Sequence, residues 1–422
     1  MISKDSIKLL ISEYQREVLN VQLIERIYKI EDNLNYVFVG LRRSGKSYLM
    51  YQQIQRLLKS GYSVNEILYF NFEDDRLTTL EVADLDLIKI CYEEMYDHKP
   101  LFFLDEIQVV SGWEKFARRL ADQGYRVFIT GSNAKMLSNE IATTLGGRYM
   151  IKNVYPLSFK EYLVVSGIDV NDKNATYRFS KEIKKLFDVY FQFGGLPEVV
   201  KVGGKREWLS NLYQKVFFGD LISRYKIRND FSLRVLIRKL AESVKQSTSF
   251  NRLANVVSAS GRKISTDTII DYFGYLKEAW LIFSVENIAA KLADKESNKK
   301  YYFVDNGLLN LFLLDPQTSL LENLVAIQLR RLYGEDVYFY HNGIEVDFYV
   351  AENQMAIQAC YSLHDIETRK REINALAQLA KRMEIKKMLI ITRDEERTIS
   401  ENGLNIEVVS IWKWLLSLSF TV

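Results

Sequence analysis

GLRRSGKSYLM, residues 40–50, follows the apolar run YVFV at 36–39. The stretch matches G-x-x-x-x-G-K-[ST] at Gly40, Gly45, Lys46 and Ser47. A loop of this kind, set between a strand and a helix, turns backbone N–H groups toward phosphate oxygens at the helix start. The glycines allow the tight curl. The lysine reaches β- and γ-phosphates, and the serine hydroxyl binds Mg²⁺. The candidate nucleotide-binding set is therefore Gly40, Arg43, Ser44, Gly45, Lys46, Ser47 and Tyr48, with ATP and Mg²⁺ as the implied cofactors.

Phosphoryl transfer also needs carboxylates at the end of a neighbouring strand. LFFLDE at 101–106 supplies four apolar residues and then Asp105 and Glu106. Asp105 is expected to hold Mg²⁺ with Ser47. Glu106 is expected to orient or deprotonate the attacking water. The next strand, RVFITGSN, ends in Thr130, Ser132 and Asn133, which are placed to touch the γ-phosphate or the water. Arg148, in LGGRY, is the candidate positive charge for the transition state, in its own subunit or a neighbouring one. Arg42 and Arg43 are further candidates.

Around these motifs, apolar strands at 36–40, 67–72, 101–106 and 126–133 alternate with helical patterns at 46–59, 85–97 and 113–124. Such alternation predicts a parallel sheet with right-handed crossovers. Residues 6–30 read as one helix. Beyond about residue 150 the alternation stops. The chain is mostly helical to about 285, with one loop, FGGLP, at 193–197. A mixed pattern then returns as a second α/β unit: YYFVD, a helix through LLENLVAIQLRRLYG, strands VYFYH, EVDFYV and AIQACY, a charged helix, then KMLIIT and IEVVS.

The 422 residues suit two or three domains. A hydrophobic share of 48% and a charged share of 26% are those of a globular chain, and a net charge of +3 does not demand a nucleic-acid partner. Four prolines against 26 tyrosines and 23 phenylalanines exclude a disordered chain. Two cysteines, Cys91 and Cys360, exclude a disulfide framework and fit a reducing, cytoplasmic compartment. No apolar run approaches the ~20 residues of a membrane helix. The three histidines, His98, His341 and His364, are too scattered for a metal or triad site.

The order GLRRSGKS, YFNFEDDR, FFLDEIQVVSGWEKFARRL, ITGSNAKMLS, LGGRY, PLSFKEYL resembles the AAA-type P-loop ATPases of bacteria and archaea. FGGLPEVV and ENLVAIQLRR…EVDFYV…AIQACYSL…TRKREINAL resemble the associated C-terminal half of that family. The resemblance implies three parts: an AAA-type ATPase domain at 1–155, a helical and winged-helix region at 156–295, and a restriction-endonuclease-like α/β domain at 296–422. For the winged helix it implies helices from Phe250 to Ser258 and after Ser265, with Arg262, Lys263, Thr266, Thr268, Tyr272 and Lys277 facing outward as candidate DNA contacts. The protein-contact alternative rests on Asp267, Asp271 and Glu278 of the same helix. Upstream, Arg224, Lys226, Arg228, Arg234, Arg238 and Lys239 form a basic stretch.

For the nuclease-like part the resemblance implies an acid on a first helix, an Asp ending a strand, and Glu-x-Lys on the next. Glu322 and Asp347 match. Gln358 and Cys360 stand where Glu and Lys would, so the positive group is missing and cleavage is not expected. The resulting expectation is a Mg-ATP-hydrolysing, oligomeric ATPase that binds DNA and acts as a motor or remodeller, with no membrane partner. Its alternatives are a nucleotide-operated signalling or assembly switch that binds a protein, and, third, an ATP-coupled nuclease.

Overall fold

The computed structural model describes residues 2–132, 143–170, 178–291, 298–401 and 403–418. The chain divides into two compact units, at residues 1–155 and 156–420.

The first unit is a parallel sheet with helices. In chain order it runs α1 (Lys4–Asn20), β1 (Asn35–Val39), α2 (Lys46–Lys59), β2 (Ile67–Asn71), α3 (Leu85–Met95), β3 (Leu101–Asp105), α4 (Trp113–Asp122), β4 (Val127–Gly131) and β5 (Tyr149–Asn153). The strand order is β2-β3-β4-β1-β5, and every pairing is parallel. Continuous apolar runs are what a sheet covered on both faces requires. All of β3 and β4 is buried, and the stacked rings of Phe103 and Phe128 lie 4.6 Å apart.

Two expectations are corrected here. The helix expected over 6–30 ends at Asn20. The following segment gives its peptide groups to α2 instead: Arg26 N–H donates to Gln52 Oε1 at 2.8 Å, and Gln52 Nε2 donates to Arg26 O at 2.9 Å. A tertiary partner thus satisfies the backbone that a helix would otherwise have satisfied. The strand bearing Asp105 and Glu106 was also expected beside the phosphate-loop strand, but β4 lies between β1 and β3. Residues at the end of β4 therefore sit between the loop and the two carboxylates.

The second unit is α/β with a mixed sheet. Its strands are β6 (Thr248–Ser249), β7 (Ile282–Asn287), β8 (Asn298–Phe303), β9 (Val337–His341), β10 (Glu345–Val350), β11 (Met355–Ala359), β12 (Lys387–Thr392), β13 (Arg397–Glu401) and β14 (Leu404–Ser410). They form one sheet in the order β13-β14-β12-β11-β10-β9-β7-β8-β6. β7 pairs antiparallel with β8 and parallel with β9, so hydrogen bonding runs across the expected 295/296 boundary. β13, which the sequence patterning did not indicate, pairs antiparallel with β14 at the sheet edge. The FGGLP loop packs closely: Gly195 N–H donates to Asp305 at 2.9 Å, and a Cβ at Gly195 would lie 2.3 Å from Leu157 O. No described helix is long and apolar enough to cross a membrane.

Candidate active site

The phosphate loop leaves the C-terminal end of β1. Gly45 takes φ +98°, in the left-handed region, and starts α2. A Cβ at Gly40 would lie 2.3 Å from Val154 O and 3.2 Å from Ser44 Oγ. Gly40→Ala is therefore expected to lower the stability of this unit by about 1–3 kcal/mol, the usual cost of overpacking, and to weaken nucleotide binding. The thermal midpoint and a nucleotide titration check both; unchanged values would mean the loop has room that the geometry denies it. Beneath the loop is a residue that sequence reasoning missed. Arg26 is 3% exposed, and its guanidinium donates to Ser44 O at 3.0 Å and to Tyr155 O at 2.7 Å. Its sequence context, VQLIERIYKIED at 21–32, mixes charged and apolar residues and gives no sign that this arginine is the buried one.

Lys46 is buried and donates to Gly40 O at 3.3 Å and Leu41 O at 3.2 Å, and lies 3.5 Å from Glu106 Oε1. Ser47 Oγ donates to Asp105 Oδ1 at 3.1 Å. Asp105 also accepts from the Tyr69 hydroxyl at 2.7 Å and from the Thr130 hydroxyl. Thr130 Oγ1 in turn accepts from Glu106 N–H at 2.8 Å. Glu106 has φ +54°, a left-handed conformation for a non-glycine residue and one that concentrates at functional sites. Its carboxylate accepts from Ser132 N–H at 3.1 Å and from the Gln108 amide.

The two carboxyls differ electrostatically. Burial, and then the neighbouring Glu106, push Asp105 up from the ordinary carboxylate range. Burial also pushes Glu106 up, but the Lys46 charge, the Gln108 amide, Arg42 and Ser132 outweigh it and leave Glu106 below its usual value. Among the described residues, Ser44 Oγ of the loop and Ser132 Oγ at the end of β4 are buried without a hydrogen-bond partner. An unsatisfied hydroxyl in the loop and another at the end of β4, a buried ammonium, and a hydroxyl–carboxylate oxygen pair fit a phosphate chain with a hard, oxygen-seeking cation.

The structure thus brings Gly40, Ser44, Gly45, Lys46, Ser47, Asp105 and Glu106 together, with Thr130 and Ser132 between. Arg43 is in the same loop at φ +64°, and Tyr48 is half-exposed on the first turn of α2, against Tyr51. Arg42 pairs with Glu73 at 3.1 Å. Arg148 is placed elsewhere. Tyr149 aligns with Asn35 at the start of β1, so Arg148 lies at the opposite end of the strand from the loop, about 13 Å away along β1. It pairs there with Asp122. In its own chain it does not reach the phosphate site. Asn133 lies outside the described residues.

The family model described as an AAA domain matches residues 32–163, and a domain of unknown function (DUF8612) matches residues 184–319. The uncharacterized protein MJ1544 of Methanocaldococcus jannaschii is 35% identical over 406 residues, covering 92% of this chain and 90% of that protein. The chain belongs to the MJ1544 family, an AAA-type ATPase family. An uncharacterized protein of Haemophilus influenzae is 32% identical over 393 residues, covering 90% of this chain and 94% of its own. Among solved structures, a Walker-type ATPase of Pyrococcus abyssi aligns over 74% of this chain and 96% of its own at 13% identity and a TM-score of 0.39. DnaA from Aquifex aeolicus aligns over 66% and 89% at 15% identity and a TM-score of 0.27. Membership rests on the sequence relatives, since overlays this loose do not bear on it.

The second unit of this chain gathers a different cluster. Glu322, on the helix Gln317–Tyr333, and Asp347 and Glu345, on β10, approach a common point. Between them lies Lys300 of β8, another residue that sequence reasoning missed. Its Nζ is 3.3 Å from Glu322, 2.9 Å from Glu345 and 3.3 Å from Asp347. On the neighbouring strand the Gln358 side chain is engaged at both ends: its Oε1 accepts from Asp347 N–H at 2.8 Å and its Nε2 donates to Glu345 O at 3.2 Å. Cys360 belongs to an apolar cluster with Val346, Leu376 and Ile390, and burial pushes its thiol up to about 12. Of the candidate DNA contacts, Arg262 and Lys263 are exposed, and Thr266 and Lys277 are partly so. Tyr272, expected to face outward, is 5% exposed and packs inward.

Proposed function

We propose that the first unit binds ATP with Mg²⁺ and hydrolyses it. The observation that carries the reading is the Lys46–Glu106–Thr130–Asp105–Ser47 chain, in which two carboxyls of opposite electrostatic character meet a buried ammonium. Ser47 and Asp105 would hold Mg²⁺, which supplies charge neutralisation between the β- and γ-phosphates. Lys46 now donates to main-chain carbonyls, and the more basic phosphate oxygens compete for those same protons. Glu106, kept ionised by its neighbours, takes the proton of the attacking water. Ser132, at the end of β4 and with a hydroxyl that has no partner among the described residues, is positioned to orient that water.

DNA is the proposed partner of the second unit, with a motor or remodelling role and a homo-oligomeric form. The chain order of helix Asp230–Glu242, β6, helix Phe250–Ala259, helix Thr266–Glu278, β7 and β8, with β6 and β7 both paired to β8, supports the winged-helix reading. Exposed Arg262 and Lys263 at the start of the second helix of the pair suit phosphate contacts. The acidic residues Asp267 and Asp271 on the same helix are also exposed and favour the alternative, a nucleotide-operated switch that binds a protein. Steady-state ATP turnover with double-stranded, forked and single-stranded DNA, at low and physiological salt, separates the two. Stimulation that weakens with salt is expected for DNA. Turnover indifferent to every DNA form sinks the DNA reading and selects the switch. Glu106→Gln serves as the negative control.

A further inference from the structure

We infer that the acidic cluster of the second unit is a cation position already filled by the chain's own Lys300, and therefore not a divalent-metal site. The nuclease-like resemblance implies Mg²⁺ at Glu322 and Asp347, and the residues present do not fit it. Three carboxylates from two elements converge on one ammonium at 2.9–3.3 Å. An ammonium has three donors, so each proton has its own carboxylate. The Lys300 side chain is fully buried, which is tolerated only when its charge is paired.

A divalent ion needs about six to eight oxygen ligands, waters included, at about 2.0–2.6 Å around one centre. The ammonium nitrogen stands at that centre and repels any second cation. The Lys300 backbone pairs with Val285 within the sheet, which fixes where the side chain starts. The remaining groups are committed as well. The Tyr302 hydroxyl donates to Glu322 at 2.8 Å, Ala359 N–H donates to Asp347 at 2.9 Å, and Glu372 accepts from Arg371 at 2.6 Å. Among the described residues, no group of three His, Cys, Asp or Glu is spaced to hold a metal. The adjoining cavity, about 810 Å³ and lined by Glu345, Asp347, Arg371 and Glu372, is then a polar cleft without metal chemistry.

The test is Mn²⁺ binding to the full, nucleotide-free chain, counted by electron paramagnetic resonance, with Mn²⁺ alone as the probe. Binding that Asp347→Asn removes is assigned to this cluster, which separates it from the phosphate loop and leaves the ATPase reading untouched. The native chain is expected to show none at millimolar Mn²⁺. Lys300→Met should gain one Mn²⁺ per chain, with affinity raised by about tenfold or more because a like charge has left the site. Adding Asp347→Asn to Lys300→Met should abolish that gain, and Lys300→Arg, which keeps the charge, should gain none. Native binding sensitive to Asp347→Asn overturns the inference, as does a folded Lys300→Met chain that gains no ion. If Lys300→Met does not fold, the native titration against Asp347→Asn decides alone.

Discussion

Glu106→Gln is expected to bind ATP about as well as the native chain and to hydrolyse it roughly 10²–10⁴-fold more slowly, the usual contribution of a positioned general base. The substitution keeps the shape and the hydrogen bond from Ser132 N–H, and removes only the charge and the basic oxygen. Lys46→Ala should differ in kind, losing nucleotide affinity as well as turnover, because the buried ammonium is the group that meets the phosphates. A filter-binding titration beside a steady-state rate separates the two effects. The charge of Lys46 also helps hold Glu106 below its ordinary pKa. Glu106 therefore stays ionised as pH falls through the ordinary glutamate value of about 4.3, and kcat/KM should show no acid limb from it above that pH. Normal turnover in Glu106→Gln would end the assignment of this carboxylate as the base, and normal binding in Lys46→Ala would end the phosphate-site reading itself.

The second large effect is on stability. Arg331 and Glu161 form a pair at 2.9 Å whose side chains are 2% and 1% exposed. Arg331 also donates to Pro156 O at 3.1 Å. Glu161 has further commitments: its carboxylate accepts from Ser158 N–H at 2.7 Å and from the Ser158 hydroxyl at 3.0 Å, and closes the capping box that starts the helix Phe159–Val165. Removing one partner leaves the other charge buried and unpaired. Arg331→Ala or Glu161→Ala should each destabilise the second unit by about 3–5 kcal/mol. Against a typical total of about 5–15 kcal/mol, that is a large fraction. The double variant should cost less than the sum of the two single changes, because the stranded charge leaves with its partner. Urea unfolding followed through tryptophan fluorescence measures this. A single-variant loss under about 1 kcal/mol would show that water reaches the pair.

Much of the first unit was legible because its signals are local. The spacing of Gly40, Gly45 and Lys46, the run ending in Asp105 and Glu106, and the alternation of strand and helix all lie within short windows. Each has one physical solution: a phosphate loop at a helix start, and strands buried on both faces. Signals that depend on long-range partners were not legible. The helix expected to continue past Asn20 stops because Gln52, far along the chain, takes the backbone of Arg26. Arg148 looked catalytic from its Gly-Gly context, and only strand register shows it at the far end of β1.

The second unit makes the same division more sharply. Glu322 and Asp347 stood out as residues, and the loss of Glu-x-Lys on the next strand was plain from Gln358 and Cys360. A missing lysine in sequence was not a missing ammonium in space, because β8 carries Lys300 into the cluster from a strand that β7, β9 and β10 bring near. Residue types and short spacings are carried by the chain itself, since neighbours in sequence are constrained by covalent geometry. Which charge meets which is settled only by strand order and packing, where β4 enters between β1 and β3, and where the burial of an ammonium among carboxylates leaves no room for a metal ion.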